Sequence, residues 1–387
     1  MKIVYYLPSL YIPGGLERII TFKANYFADN IPNCSVTIIT SEQIGKPPYF
    51  PLSSRVKHID LGCPIDWPFN QSPFFKMLKY PFRYYQFRER LSSALFQIKA
   101  DIVISTLRRE INFIHSINDG SVKIGEFHIT RNSYQANSIK QDNPFIRFIK
   151  KRLSDRFINN LKKLSRVILL TNEESLLWPE LSNISVIPNP LTIHVSCVSP
   201  MTNKQVIAVG RYTKQKGFDR LIDSWTIVTR KHPDWILKIY GDGNREELQE
   251  QINNLSLREN CILEHTVNNI TAKYCESSIF VLSSRYEGFG MVLVEAMACG
   301  VPPVSFACPC GPRDIIKDGE DGLLVENGNI EELADRICYL IEHEEVRKRM
   351  GKQARINAER FKIEYIAKQW ESLFNDLLKN KNNHELV

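Results

Sequence analysis

No apolar run in this chain reaches the roughly 18–20 residues that a membrane-spanning helix needs. The opening MKIVYYLPSL is short, β-branched and interrupted at Pro8, with no small-residue cleavage site behind it. It reads as a strand and not as a secretory leader, so the expected location is the cytoplasm. No Cys-x-x-Cys pair occurs among the nine cysteines, which are odd in number and scattered. Cys308 and Cys310 stand apart from other ligand types, so zinc is not expected. All nine are read as reduced thiols used as small apolar residues. There is no nucleic-acid-binding module and no strand motif that interleaves aromatic and basic residues, which removes nucleic acid as a partner.

What is present is an ordinary globular composition, 43% hydrophobic and 24% charged, in 387 residues. That length predicts two domains, each with its own core. The net charge of +7 is unevenly spread. Residues 1–195 hold 25 Lys/Arg against 15 Asp/Glu, and residues 196–387 hold 25 against 28. A basic first half calls for an anionic partner, either a membrane surface or a phosphorylated acceptor.

Short β-branched runs recur between helical stretches, at 2–7, 36–40, 56–61, 101–106, 122–128 and 166–171, then at 205–211, 235–242, 261–266, 278–285 and 302–306. Several are apolar without alternation, as in strands covered on both faces. The alternation predicts parallel α/β sheets. It pauses at 187–205, where Pro188, Pro190 and Pro200 break any helix, and this stretch is read as the linker. The expected fold is two doubly wound, Rossmann-like domains, 1–195 and 200–363, facing each other across a cleft. An amphipathic helix at 364–387 is expected to complete the first.

Four segments carry chemistry. PGGLERI (13–19) follows the first strand, and its Gly14–Gly15 turn opens a helix whose N-terminus favours anions. Read alone, a Gly-Gly turn before a helix is more often only a turn. GRYTKQKG (210–217) sets Arg211 and Lys216 between a strand and a helix, where a diphosphate can lie; the other reading is a solvated basic turn. SSRYEGFGMVLVEAMACGVPPV (283–304) separates Glu287 from Glu295 by seven residues, with Gly288, Phe289 and Gly290 leading into a helix. Backbone N–H groups over 289–292 then form an anion site, Glu295 can accept from a ribose diol, and Glu287 can hold a sugar hydroxyl. The plain alternative is two solvated acids. GEFHIT (125–130) places His128 at a strand end, either structural or facing the cleft, with Glu126 two residues away.

Together, GGLER, GRYTKQKG, YGDGN, EGFGMVLVEAMACGVPPV, GPRDII and DGEDGLLV resemble glycosyltransferase family 4, the glycosyl transferases group 1, in order and spacing over most of the chain. The resemblance implies the GT-B fold, an acceptor-binding first domain and a nucleotide-sugar-binding second. Residue by residue it implies that Gly14 and Gly15 lie near the donor phosphates. Arg211 and Lys216 then hold the diphosphate, Glu287 the sugar and Glu295 the ribose. The backbone of Gly288, Phe289, Gly290, Met291 and Val292 meets sugar and phosphate. Gly241 of YGDGN lines the site, and the base lies near His265, Thr266 and Val267. His128 matches the histidine near the reacting carbon. It and Glu287, Arg211 and Lys216 are the implied catalytic group. One departure stands at CPCGPRDII (308–316), where Arg313 and Asp314 replace a commoner Pro-Glu. That variant resembles members using UDP-hexoses or UDP-N-acetylhexosamines.

The implied activity is retaining transfer of a hexose or N-acetylhexosamine to a glycan or lipid-linked acceptor in cell-surface polysaccharide or lipopolysaccharide synthesis. A UDP-sugar is favoured over GDP-mannose. No Asp-x-Asp pair occurs, so neither metal nor other cofactor is expected. The rivals are an epimerase, a sugar phosphorylase and a silent sugar-nucleotide-binding subunit. Residues 143–166 hold eight Lys/Arg and one Asp, with Phe145, Ile146, Ile149, Leu153, Phe157, Ile158 and Leu161 at helical spacing. Residues 67–90 mix aromatics with Lys79, Arg83, Arg88 and Arg90. Such segments suit an anionic inner leaflet, which makes the expected location peripheral on the cytoplasmic membrane. A core-packed helix with a solvated face is the alternative.

Overall fold

The computed structural model describes residues 1–64, 73–131 and 143–385, so residues 67–72 of the aromatic stretch lie outside the described residues. The chain forms two compact units. The first comprises Met1–Leu169, Ser175–Pro190 and Ile363–Val387; the second comprises Leu170–Glu174 and Leu191–Lys362.

In the first unit, β1 (Lys2–Tyr6), β2 (Ser35–Thr40), β3 (Val56–Asp60), β4 (Ile102–Ser105), β5 (Val122–Glu126), β6 (Arg166–Leu169) and β7 (Ile184–Val186) pair in the order β3-β2-β1-β4-β5-β6-β7. Every pairing is parallel. Alternate side chains of β1 enter opposite cores, as a period of two requires. Ile3 and Tyr5 pack with Phe27 of the helix Gly15–Asn30 and with Trp370 and Phe374 of the helix Ile363–Glu385. Val4 and Tyr6 pack with Phe87 of the helix Pro73–Ile98 and Leu161 of the helix Pro144–Leu161. The strand order reverses between β1 and β4, so the ligand crevice of this sheet falls at their C-terminal ends.

The second unit repeats the plan. β8 (Gln205–Val209), β9 (Ile236–Tyr240), β10 (Cys261–Glu264), β11 (Ile279–Leu282), β12 (Pro303–Phe306) and β13 (Leu323–Val325) form a sheet ordered β10-β9-β8-β11-β12-β13. The reversal lies between β8 and β11. The helix Phe218–Lys231 buries Phe218, Leu221, Ile222, Trp225 and Val228, one stripe at helical spacing.

Residues 187–204 carry no helix or strand. The reading of nine reduced thiols is corrected here. Cys197 is disulfide-bonded to Cys275, at the end of the helix Ile270–Cys275, with Cα atoms 6.2 Å apart. The extended segment brings together two cysteines 78 residues apart, a proximity no local pattern encodes. The other seven are free. Among the described residues, no helix is long and apolar enough to cross a membrane.

Candidate active site

The exits of β8 and β11 meet around one ion pair. Gly217 follows the 3-10 turn Lys214–Lys216 and has φ 64°. A Cβ there would lie 2.1 Å from the Ser283 carbonyl oxygen, so only glycine allows the two exits to touch. Ser283 Oγ donates to the Lys216 carbonyl at 3.0 Å. The Lys216 stem lies over Gly210. Its Nζ donates to Glu287 Oε1 at 2.7 Å, and Ser284 Oγ donates to that same oxygen at 2.5 Å. Both ends of the pair are shielded, with side-chain exposures of 14% and 7%. Arg211 is exposed on the same turn. Arg285 bonds both oxygens of Asp219, at 2.7 and 2.5 Å, and fixes the helix start behind it.

The turn after β11 leads into a helix N-terminus. Glu287 donates its N–H to the Pro309 carbonyl at 3.0 Å. Gly290, at φ 97°, caps the helix Met291–Ala298, whose first N–H groups have no intrahelical partner. Phe289 turns its ring inward against Phe361, 5.7 Å between centroids, leaving its backbone beside Gly288 at the turn. Met291 and Val292 are half-buried. Glu295 lies one turn into the helix and is 2% exposed. Its Oε2 accepts from the Tyr274 hydroxyl at 3.2 Å. His265, Thr266 and Val267 are exposed just beyond β10. His265 Nε2 is 3.0 Å from Arg245 Nη2, and Gly241 follows β9, buried against the Gly210 carbonyl.

A segment that the sequence did not single out supports this turn. Asn172 and Glu173 donate their N–H groups to Asp314 at 2.9 and 3.1 Å, so Asp314 caps the helix Asn172–Leu176. Glu173 accepts from the Cys310 N–H at 3.0 Å and from Arg313 at 2.9 Å. The two residues that depart from the family pattern, Arg313 and Asp314, are thus the ones that hold Leu170–Glu174 in place.

In the first unit, three strand exits carry charge. Gly14 caps the helix Gly15–Asn30, and the Glu17 carboxylate lies over it. Gly15 is exposed. His128 lies beyond the end of β5, nine-tenths buried, with Nε2 3.2 Å from Glu126 Oε1. Lys23, fully buried on the helix Gly15–Asn30, donates to the same carboxylate. Burial pushes the Glu126 carboxyl up, but Lys23 and His128 outweigh it and hold the group at about 2. Burial raises the Glu17 carboxyl, and its own backbone, Arg108 and His128 oppose that rise. Lys23 and Arg108 carried no sequence signal, because neither sits in a motif.

Two parallel, doubly wound sheets of this kind are the halves of the GT-B fold. Residues 192–357 match the family of glycosyl transferases group 1, and that stretch belongs to it. An uncharacterized glycosyltransferase of Haemophilus influenzae is 27% identical over 381 residues, covering 96% of this chain and 99% of its own. The poly(ribitol-phosphate) alpha-N-acetylglucosaminyltransferase of Staphylococcus aureus is 31% identical over 230 residues, 58% of this chain and 47% of that protein. A variant of S. aureus TarM, solved with fondaparinux, alpha-GlcNAc-glycerol and UDP, is similar in fold with a TM-score of 0.76. That likeness covers 97% of this chain and 99% of that one at 18% identity.

Proposed function

We propose that the protein is a retaining transferase of family 4 that moves a hexose or N-acetylhexosamine from a UDP-sugar to a hydroxyl of a glycan or lipid-linked acceptor in cell-surface polysaccharide synthesis. The Lys216–Glu287 pair at the β8 and β11 exits carries this reading. A diphosphate arriving there takes Lys216 and Arg211 as counter-charges. That releases Glu287 to accept from a sugar hydroxyl. The N–H groups at the start of the helix Met291–Ala298 face phosphate oxygen, and Glu295 serves the ribose.

In the proposed reaction the acceptor oxygen bonds to the anomeric carbon on the face from which the diphosphate departs. The bond from that carbon to phosphate oxygen breaks, and the phosphate takes the acceptor proton. Cations and amide dipoles stabilise the charge that develops on the leaving group, so neither a strong protein base nor a metal is required. His128, paired with Glu126 beyond β5 of the first unit, is assigned to positioning the reacting sugar.

The relatives support an N-acetylhexosamine as the sugar and UDP as its carrier. One transfers N-acetylglucosamine to poly(ribitol-phosphate), and the TarM variant was solved with UDP. A thermal-shift panel of UDP- and GDP-sugars in EDTA tests the donor. A ligand at 100 times its Kd stabilises by about 2.7 kcal/mol. UDP-sugars raising Tm where GDP-sugars do not is the expected result, and the reverse order removes the UDP assignment.

A further inference from the structure

We propose that the Cys197–Cys275 bond is a redox clamp on Glu295, so that oxidation tightens and reduction loosens the second unit's hold on a nucleotide. That Glu295 serves the ribose rests on the transferase reading; the clamp itself rests on packing within the second unit.

Residues 191–199 carry no helix or strand, yet they are fixed at both ends. Leu191 donates its N–H to the Phe361 carbonyl at 2.7 Å. Ser199 donates its N–H to the Cys299 carbonyl at 2.9 Å and its Oγ to the Ser277 carbonyl at 2.6 Å. Side chains of an extended segment alternate between two sides. Leu191, Ile193 and Val195 accordingly pack on the cluster that holds Tyr274, Val294 and Ala298, whereas His194, Ser196 and Val198 are exposed. Cys197 continues the inward stripe and meets Cys275 there.

Cys275 ends the helix Ile270–Cys275, which is six residues long. A helix of under two turns has no stability of its own and depends on what grips it. Asn269 Oδ1 accepts from the Ala272 N–H at 3.2 Å, and Thr271 Oγ donates to the His194 carbonyl at 3.4 Å. The disulfide is the covalent grip. The residue beside it is Tyr274, fully buried, with its ring 6.0 Å from that of Phe280 and its hydroxyl donating to Glu295 Oε2 at 3.2 Å. The chain enters this helix from residues 265–267, the stretch assigned to the base. One bond therefore bears on a short helix that adjoins both the base loop and the ribose acid.

Cys197 and Cys275 are half-buried, so a small thiol reaches them. Of the other seven cysteines six are buried, and Cys34 lies in the first unit. Reduction breaks the Sγ–Sγ bond. Two equivalents of a small thiol supply two electrons and two protons, leaving two cysteine thiols and the reagent's own disulfide. A small-molecule disulfide reverses the step.

The test uses the full chain carrying Cys34→Ser, in excess reduced or oxidised glutathione, with the thiol count read by mass spectrometry. Reduction should speed amide exchange over residues 270–277 by about tenfold and leave the helix Phe218–Lys231 unchanged. By calorimetry it should raise the Kd of UDP about fivefold, the worth of one hydrogen bond. Cys275→Ser should match the reduced protein in both buffers. Tyr274→Phe, which keeps the ring and loses the hydroxyl, should bind UDP weakly in both buffers while its exchange still follows the thiol state. Equal exchange over 270–277 in the two states overturns the clamp. So does an equal Kd, or two thiols persisting in oxidised glutathione. Faster exchange in the helix Phe218–Lys231 as well would mark general loosening and overturns it too. If UDP binds in neither state, the nucleotide reading fails, and the exchange contrast alone decides the clamp.

Discussion

Glu126 shows how one buried carboxylate can fix the polarity of a site. It accepts from Lys23 and lies beside His128, and it is held near 2 while an unfolded glutamate titrates near 4.5. A depressed pKa contributes stability that is present above the unfolded value and lost as pH falls through the folded one. Wild-type Tm should therefore drop between about pH 4.5 and 2, and Glu126→Gln should show a shallower drop over that window by calorimetry. Lys216 is the second single residue on which much depends. Lys216→Ala should lower kcat/KM by two orders of magnitude, about 3 kcal/mol, in a steady-state transfer assay. Undiminished turnover would remove the leaving-group role. Glu287 keeps Ser284 as a donor in that variant, so the fold should survive.

Among the elements, the segment Leu170–Glu174 is the least expected. Glu173 grips Cys310 N–H and Arg313, and the adjoining Pro309 carbonyl receives the Glu287 N–H. Glu173→Gln should raise the KM for the nucleotide sugar several-fold while leaving the Kd of UDP alone unchanged, since the turn it braces meets the sugar. Equal losses for both ligands would point to general loosening. None of this was legible in the sequence, because the partners lie some 140 residues apart. The principal strands were legible, since β-branched apolar runs covered on both faces have no polar interruption. β7 and β13 were missed as separate strands, each being three residues long. His128 and Glu126 were legible as neighbours two apart. Lys23 was not, because it reaches them from a helix more than 100 residues earlier. The helix Pro144–Leu161 divides along its length: Phe157, Ile158 and Leu161 enter the core, whereas Ile146, Phe148, Ile149 and Leu153 are exposed among Arg147, Lys150, Lys151 and Arg152.

At the scale of the molecule, the excess charge and that bare apolar face belong to the same half of the chain. We expect the protein to cosediment with anionic vesicles at low salt and to be released as ionic strength rises. No binding to phosphatidylglycerol vesicles at low salt would count against a membrane partner. The chain also passes between its two units four times, after Leu169, Glu174, Pro190 and Lys362. Neither unit is a single stretch of sequence, so no one cut can release either of them whole. A gene truncated after Pro190 would encode a sheet stripped of Trp370 and Phe374, with Phe27 and its neighbours left wet. The two halves have to be dissected by moving the last helix, not by cutting at the linker.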